Sequence, residues 1–513
     1  MGYRERRRLL QHDQSGGECD EHAAQPRISL ATPLSLARCS AVSVERQWWL
    51  ALVFALSGGW NANLVAGTLG PLEGIAARHK VPASNISAIV QAVSSATPLF
   101  ALNLDVPRNP ASTIKLLTTF VALDTLGPTY SWPTRIYTAG PIKNGVLSGD
   151  LILKGYGDPY LVEENLWKML GELRRQGLRE INGDLVIDDT HFAVTRTDPG
   201  AFDAQPYRLY NVVPNALLVN FKAFVFYFVP GADGGITIRS VPALPNLKIV
   251  NRLKLVQGRC RGVLASFTMT VPDPVATDEV VFAGNYQASC GEQALPRSLL
   301  QPANYAYGMF KTLWAQHGGS LKGGVRLGTA PSNKTPFAVW QSPSLADILR
   351  PLNKWSNNMM ADALLYTLGG TLFDPPLSLA HGETVIKAYL TKHHLATEGL
   401  VMENGSGLSR VSRITALTMH GLLQHAYRSR YMSEYISSLA IAGIDGTMRR
   451  RFKRTAETGW MHLKTGHLNE VAAVAGFIRA HSGTTYVVVL FLNGPTGGGS
   501  ALIDTLLAWT HRQ

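Results

Sequence analysis

The sequence has four cysteines in 513 residues, no Cys-x-x-Cys pair and no Cys/His spacing of the kind that holds zinc, so no metal site is expected. A small disulfide-stapled scaffold and a zinc ribbon are thereby excluded. No apolar run reaches the roughly 18 residues that a bilayer-spanning helix requires, so no stable transmembrane anchor is expected. No Walker or Rossmann glycine pattern falls between a strand and a helix, and no cofactor is indicated. Charged residues are few, at 16%, against 46% hydrophobic, which describes a globular chain of two to four domains. Acids are the scarcer sign: 36 Asp+Glu face 48 Lys+Arg, a formal charge of +12. Residues 1–47 contribute seven Arg against six acids, so the basic excess belongs to the rest of the chain. Such a surface suits an anionic partner without choosing among nucleic acid, anionic lipid and anionic polymer.

The best apolar stretch is 48–56 (WWLALVFAL), after Arg46 and before Ser57, Gly58 and Gly59. A short apolar core between a cation and small residues predicts a secretory signal peptide, against the alternative of a buried core helix. Residues 1–67 are therefore expected to be a leader. Its first 43 residues are polar and too long for a signal n-region, which points to a translation start at Val44; N-terminal sequencing that finds Met1 overturns that. Cys19 and Cys39 would leave with the leader. Cys260 and Cys290 remain, and in an oxidising compartment they are expected to pair. Their bond would close a loop of about thirty residues and contribute about 3 kcal/mol in the chain-entropy account.

Residues 82–126 predict helix, strand, helix. Asn109-Pro110-Ala111-Ser112 opens the second helix, with Asn as N-cap and Pro in the first position. Ile114, Leu117, Phe120 and Val121 make its apolar face, and Gly127-Pro128 stops it. Short β-branched runs punctuated by Asn144-Gly145 and Gly149-Asp150 follow, and 183–187 (GDLVI) and 324–327 (GVRL) look related, as hairpins of a separate β-rich module. Strands are also expected at 223–229 and 266–271, and helices at 161–176, 345–352, 356–368 and 383–392. An apolar hairpin at 471–478 and 485–492 and a terminal helix from about Ser500 complete the pattern.

Three short motifs carry the chemistry. Ser112-Thr113-Ile114-Lys115 is the one Ser-x-x-Lys, Ser356-Asn357-Asn358 the one Ser-x-Asn, and Lys464-Thr465-Gly466 the one Lys-Thr-Gly, in that order. On a helix, residues three apart share a face, so Lys115 sits beside the Ser112 hydroxyl. A serine hydroxyl needs an adjacent base to become a nucleophile. Lys115 serves only if neutral, and burial together with a second cation, Lys464, favours that. Ser356 can relay a proton to a leaving amine, while Asn358 can hold Lys115 and a substrate amide. Lys464 and Thr465 can bind a carboxylate, and Gly466 lets another backbone approach. The backbone N–H groups of Ser112 and His467 would form an oxyanion hole.

With these motifs the sequence resembles the class C low-molecular-mass penicillin-binding proteins, the D-alanyl-D-alanine carboxypeptidase/endopeptidase family. The stretches that carry the resemblance are 109–117 (NPASTIKLL), 356–365 (SNNMMADALL), 405–410 (GSGLSR) with Ser412-Arg413-Ile414-Thr415, 442–450 (AGIDGTMRR), and 464–466 running into 475–478 (AGFI). It spans residue 70 to the end and is densest over the last 170 residues. The 244 residues between Ser112 and Ser356 exceed what a compact β-lactamase holds there. The Glu-x-x-Leu-Asn element of class A β-lactamases is also missing.

The resemblance implies an α/β (α+β) core of the serine β-lactamase/penicillin-binding transpeptidase type, its helices packed on an antiparallel sheet, with a large two-domain β-rich insertion. The expected division is a catalytic domain at 68–135 and 336–513, an inserted domain at 136–204 and 301–335, and a second domain nested at 205–300. It implies a periplasmic enzyme that cleaves peptidoglycan stem peptides through an acyl-enzyme on Ser112, is acylated by β-lactams, and has no nucleic-acid partner. The alternatives are a β-lactamase and a non-catalytic sensor of β-lactam or peptidoglycan. Departures are His467 where the family has Ser or Thr, Asn357 for Asp, and Asn404 for Asp. The family's inserted domain offers an acid to the substrate amino group, and Asp203 lies in that region. His393-His394 is expected at the surface without metal partners, and the basic run Arg449–Arg451, Lys453, Arg454 as a solvated face.

Overall fold

A computed structural model describes residues 70–194, 198–262, 266–495 and 499–513. The expected leader, with its apolar core at 48–56 and the start at Val44, lies outside the described residues. The described helices are α1 (Gly70–Arg78), α2 (Lys115–Leu126), α3 (Glu163–Arg175), α4 (Pro302–Gln316) and α5 (Leu345–Trp355). They continue as α6 (Asn358–Gly369), α7 (Leu379–Lys392), α8 (Ala416–Arg428), α9 (Met432–Ser438) and α10 (Gly499–His511). None of these is long and apolar enough to cross a membrane.

A six-stranded antiparallel sheet is built from strands near the two ends of the described chain. Its order is Ala440–Ile441, Met461–Leu468, Val471–Arg479, Thr485–Asn493, Ile86–Ala92, Phe100–Leu102. Successive side chains of a strand point to opposite faces, and here both faces are covered. Val488, Leu490 and Leu492 pack with Ile75 of α1 and Leu502 and Leu506 of α10. Val487, Val489 and Phe491 join Leu117 and Phe120 of α2, Leu349 of α5, Leu364 of α6 and Met419 of α8. Double coverage is why the strand at 485–493 is apolar throughout instead of alternating. The sheet is thus held between α1 and α10 on one side and the α2, α5–α9 layer on the other.

The entry to α2 differs from the expected helix start. Residues Ala111–Ile114 form a 3₁₀ turn ahead of α2, so Ser112 lies in that turn and not inside the α-helix. Asn109 still braces it, its Oδ1 accepting from the Ala111 N–H at 2.9 Å. Gly127, at φ +85°, ends α2 as expected.

The chain between α2 and α5 builds further sheets. Pro133–Thr138 pairs antiparallel with both Leu151–Gly155 and Ala338–Gln341. Leu151–Gly155 runs parallel to Leu185–Asp188, which runs parallel to Val325–Leu327. The three runs expected as hairpins are therefore parallel neighbours; a parallel pair needs a long crossover, which α3 supplies for the first two. The Asn144-Gly145 turn does join a hairpin, Ile142–Lys143 with Val146–Leu147. Helix α4 falls in a stretch expected to be β-rich. Its Tyr305, Met309, Phe310, Leu313 and Trp314 lie on one buried face at helical spacing, and the bulky aromatics obscure that period in the sequence.

Residues 223–298 add two three-stranded sheets, one of them pairing Lys248–Val256 parallel to Glu279–Gln287. Their aromatic side chains Phe224, Phe226, Phe228 and Phe282 share a core with Leu170 of α3 and Trp314 of α4. Cys260 and Cys290 are joined by a disulfide.

Candidate active site

The three motifs converge at one edge of the catalytic sheet. Lys115 starts α2 and is wholly buried, and its ammonium nitrogen donates to Ser112 Oγ at 3.0 Å. The same Nζ donates to Asn358 Oδ1 at 2.7 Å and to the Ser406 carbonyl at 2.6 Å. Ser112 itself is half-buried and open to approach. Burial draws the Lys115 pKa down to about 7, and the negative charge of Asp362 opposes that shift. A lysine at that value supplies neutral amine at physiological pH, as a general base must.

Ser356 caps the C-terminus of α5 in the left-handed region, at φ 60°, which turns its side chain between α5 and α6. Asn357 is the N-cap of α6, its side chain accepting from the Met360 N–H at 3.1 Å. A carboxamide caps as well as a carboxylate, so the Asn-for-Asp departure keeps this turn intact. Asn358 spends one amide N–H on the Tyr210 carbonyl, at 3.0 Å, and its Oδ1 on Lys115. The carboxamide is therefore oriented at both ends.

Lys464 is also wholly buried and donates to Ser356 Oγ at 2.8 Å and to the Thr465 carbonyl at 2.8 Å. Burial first, then repulsion from Lys115, pushes its pKa well below the usual lysine value. The site thus contains two Ser–Lys pairs, Ser112 with Lys115 and Ser356 with Lys464. Either lysine can hold or release a proton next to a hydroxyl.

The strand Met461–Leu468 pairs along its length with Val471–Arg479, whereas Ala440–Ile441 covers only Leu463 and His462 on its other side. Residues 464–468 therefore present an edge to an incoming extended peptide. Gly466 is packed against the Ser112 turn: a Cβ there would lie 2.7 Å from the Pro110 carbonyl oxygen and 3.0 Å from Ser112 N. His467 is exposed at the far end of this edge. Thr465 Oγ1 donates to Thr447 Oγ1 at 2.9 Å.

Asp203 stands outside this cluster but is wired to it. Its carboxylate accepts from Tyr210 OH at 2.8 Å, Asn211 Nδ2 at 2.8 Å and the Gln205 N–H at 3.0 Å. Partial burial would raise its pKa, and these hydrogen bonds outweigh it to hold the carboxyl below the ordinary value. Tyr210 in turn gives its carbonyl to Asn358, and Phe202 lies under the Arg410 guanidinium at 4.7 Å. Of the basic run, Arg451 pairs with Asp504 of α10 and Arg449 sits 5.9 Å from the Trp355 ring at the end of α5.

Four contributors escaped the motif reading. The Ser406 carbonyl sits in a buried loop held by Asn404, whose Oδ1 accepts from the Ser406 and Gly407 N–H groups at 3.2 and 2.8 Å. Thr447, the Tyr210 carbonyl and Asp362 are the others. The glycine-flanked Ser406 and the Gly446-Thr447 turn carried a signal, since both fall in stretches that resemble the penicillin-binding proteins. The Tyr210 carbonyl, a backbone atom, carried none.

Residues 69–511 match the family described as D-Ala-D-Ala carboxypeptidase 3 (S13). A D-alanyl-D-alanine carboxypeptidase of Actinomadura is 29% identical over 418 residues, covering 78% of this chain and 76% of that one. The crystal structure of penicillin binding protein 4 from Haemophilus influenzae superposes with a TM-score of 0.73 at 23% identity, over 86% of this chain and all of that one. The same protein complexed with a novel β-lactam gives 0.70 at 23% identity, over 86% and 99%. These superpositions establish a shared fold.

Proposed function

The chain belongs to the D-Ala-D-Ala carboxypeptidase 3 (S13) family and is a serine-type D-Ala-D-Ala carboxypeptidase; within that activity we propose that Ser112 carries the acyl-enzyme and that the other motif residues divide the proton work. Neutral Lys115 takes the Ser112 proton as Oγ attacks the carbonyl of the penultimate D-Ala of a peptidoglycan stem peptide. The backbone N–H groups of Ser112 and His467 bear the oxyanion. Ser356, backed by Lys464, gives a proton to the leaving amine, and water then releases the acyl group from Ser112. When the leaving amine is D-Ala the reaction is a carboxypeptidase step; when it is the amine of a cross-linking diamino acid it is an endopeptidase step. Lys464 and Thr465 receive the terminal carboxylate, and Asp203 receives the substrate's free amino group. The observation that carries this division is the pair of buried Ser–Lys contacts at 3.0 and 2.8 Å. Catalysis in the periplasm, after export by the leader, accords with the Cys260–Cys290 bond.

The test is digestion of purified muropeptides. Pentapeptide monomers are expected to lose one D-Ala, and D-Ala-linked dimers to fall to monomers. Intact substrates beside an active reference carboxypeptidase would overturn the substrate assignment.

The pH dependence of acylation tests the role of Lys115. With a base of pKa about 7, the second-order acylation rate for benzylpenicillin rises about tenfold per pH unit below neutrality and flattens above it. Asp362 raises the Lys115 pKa, so Asp362→Asn lowers it further and moves the acid limb of the profile to lower pH. A limb that stays put, or moves upward, refutes Lys115 as the base.

A further inference from the structure

The fold gathers three residues that sequence spacing keeps apart. Asp124 lies near the end of α2, His393 is the C-cap of α7, and His425 lies in the last turn of α8. One ligand atom from each lies within 4.8 Å of the others, and all three side chains are half-buried, reachable from solvent. The two imidazole rings lie with centroids 4.6 Å apart and their planes tilted by 48°. Tyr389, one turn before His393 on α7, donates its hydroxyl to Asp124 Oδ2 at 2.7 Å and lies 3.2 Å from His425 Nε2. Sequence alone placed His393-His394 at the surface without partners; the packing of α7 against α2 and α8 gives His393 two.

We propose that Asp124, His393 and His425 form a binding site for a divalent zinc-class cation, remote from Ser112 and unrelated to the acyl-transfer chemistry. Two imidazoles and one carboxylate are the donor set that zinc takes at bonds of about 2.0–2.2 Å. Ligand atoms around such a tetrahedral ion sit about 3.3 Å apart, so the side chains close by about an ångström or less each on binding. Tyr389 already holds the carboxylate as the hydroxyls and amides around metal ligands do, and it or a water closes the fourth position. Bound there, the cation ties together the ends of three helices, one of which starts with Lys115. Its role is structural: it ties the end of α2 to the ends of α7 and α8.

The tag-free full chain, stripped with chelator and dialysed against zinc chloride, is expected to retain one zinc per chain by elemental analysis. Cobalt in its place should give the visible absorption of a tetrahedral site. Asp124→Asn, His393→Ala and His425→Ala are each expected to weaken zinc binding by about a hundredfold or more. His394→Ala, whose side chain is exposed beyond the cluster, should leave it unchanged. One-to-one acylation by benzylpenicillin certifies that each variant is folded. Zinc uptake that is absent in the parent chain, or that survives all three substitutions, overturns the proposal. Neither result bears on Ser112.

Discussion

Exposed briefly to benzylpenicillin, the chain gains the mass of one drug molecule, and Ser112→Ala gains none. The expectation rests on Ser112 Oγ lying 3.0 Å from buried Lys115, whose pKa is drawn down to about 7, in the turn against which Gly466 of the exposed strand edge packs. Removing it eliminates the atom that forms the ester, and hydrolysis of a stem peptide is expected to fall on the order of a millionfold, as in other serine peptidases stripped of their nucleophile. Lys115→Met keeps the hydroxyl and removes the base, and its acylation rate should fall by about 10²–10⁴. Lys115→Arg should not restore it, because a guanidinium cannot give up its proton. Intact-mass spectrometry over time separates the outcomes. An adduct that persists in Ser112→Ala places the nucleophile elsewhere. An adduct too brief to see, with the drug destroyed, makes the chain a β-lactamase. No adduct with the drug intact makes it a non-catalytic binder.

What the sequence made legible was chemistry that depends on local spacing. Ser112 and Lys115 are three residues apart at a helix start, and that spacing alone brings their side chains together. Asn358, Lys464 and Thr465 were legible only because each motif occurs once and in order; no periodicity joins them to Ser112, which lies 246 residues before Asn358. The fold class was legible through the family resemblance that those motifs carry, and single elements through local signals. The doubly covered strand at 485–493 and the Gly127 stop of α2 each advertise their state locally, whereas the N-cap expected at Asn109 gave way to a 3₁₀ turn and the parallel pairing of 151–155 with 185–188 is a long-range choice that short-range turn signals do not encode. Backbone acceptors were the hardest to see. Lys115 is held at the Ser406 carbonyl and Asn358 at the Tyr210 carbonyl, and a carbonyl has the same chemistry in every residue type. The Asp124–His393–His425 cluster was hidden because its members come from three helices whose mutual packing is set by the apolar core.

Glycine 407 exposes how tightly that core holds the nucleophile. The residue adopts φ +77°, and a Cβ there would stand 2.0 Å from the Ala111 carbonyl oxygen and 2.8 Å from Ile114 Cγ2. Ala111 is itself held at φ +45°, a conformation that costs an L-residue about 1–2 kcal/mol and persists only where the surroundings impose it. Ser112 follows directly, so a methyl group at 407 pushes on the turn that aims its hydroxyl. The obstacle is backbone, fixed on one side by Asn404 and on the other by the sheet, and neither side chain rotation nor a small hinge relieves it. Gly407→Ala is therefore expected to slow acylation by about a hundredfold or more, since a displacement of about an ångström at a nucleophile has that effect. It should also lower Tm well beyond the effect of a strained φ alone. Gly177→Ala measures that baseline: Gly177 has φ +93° with nothing within 4 Å of its would-be Cβ, and the substitution should cost about 1 kcal/mol with acylation unchanged. Equal Tm losses and equal acylation rates for the two variants would mean that the turn at Ala111 yields, and that the Gly407 loop does not hold Ser112 in place.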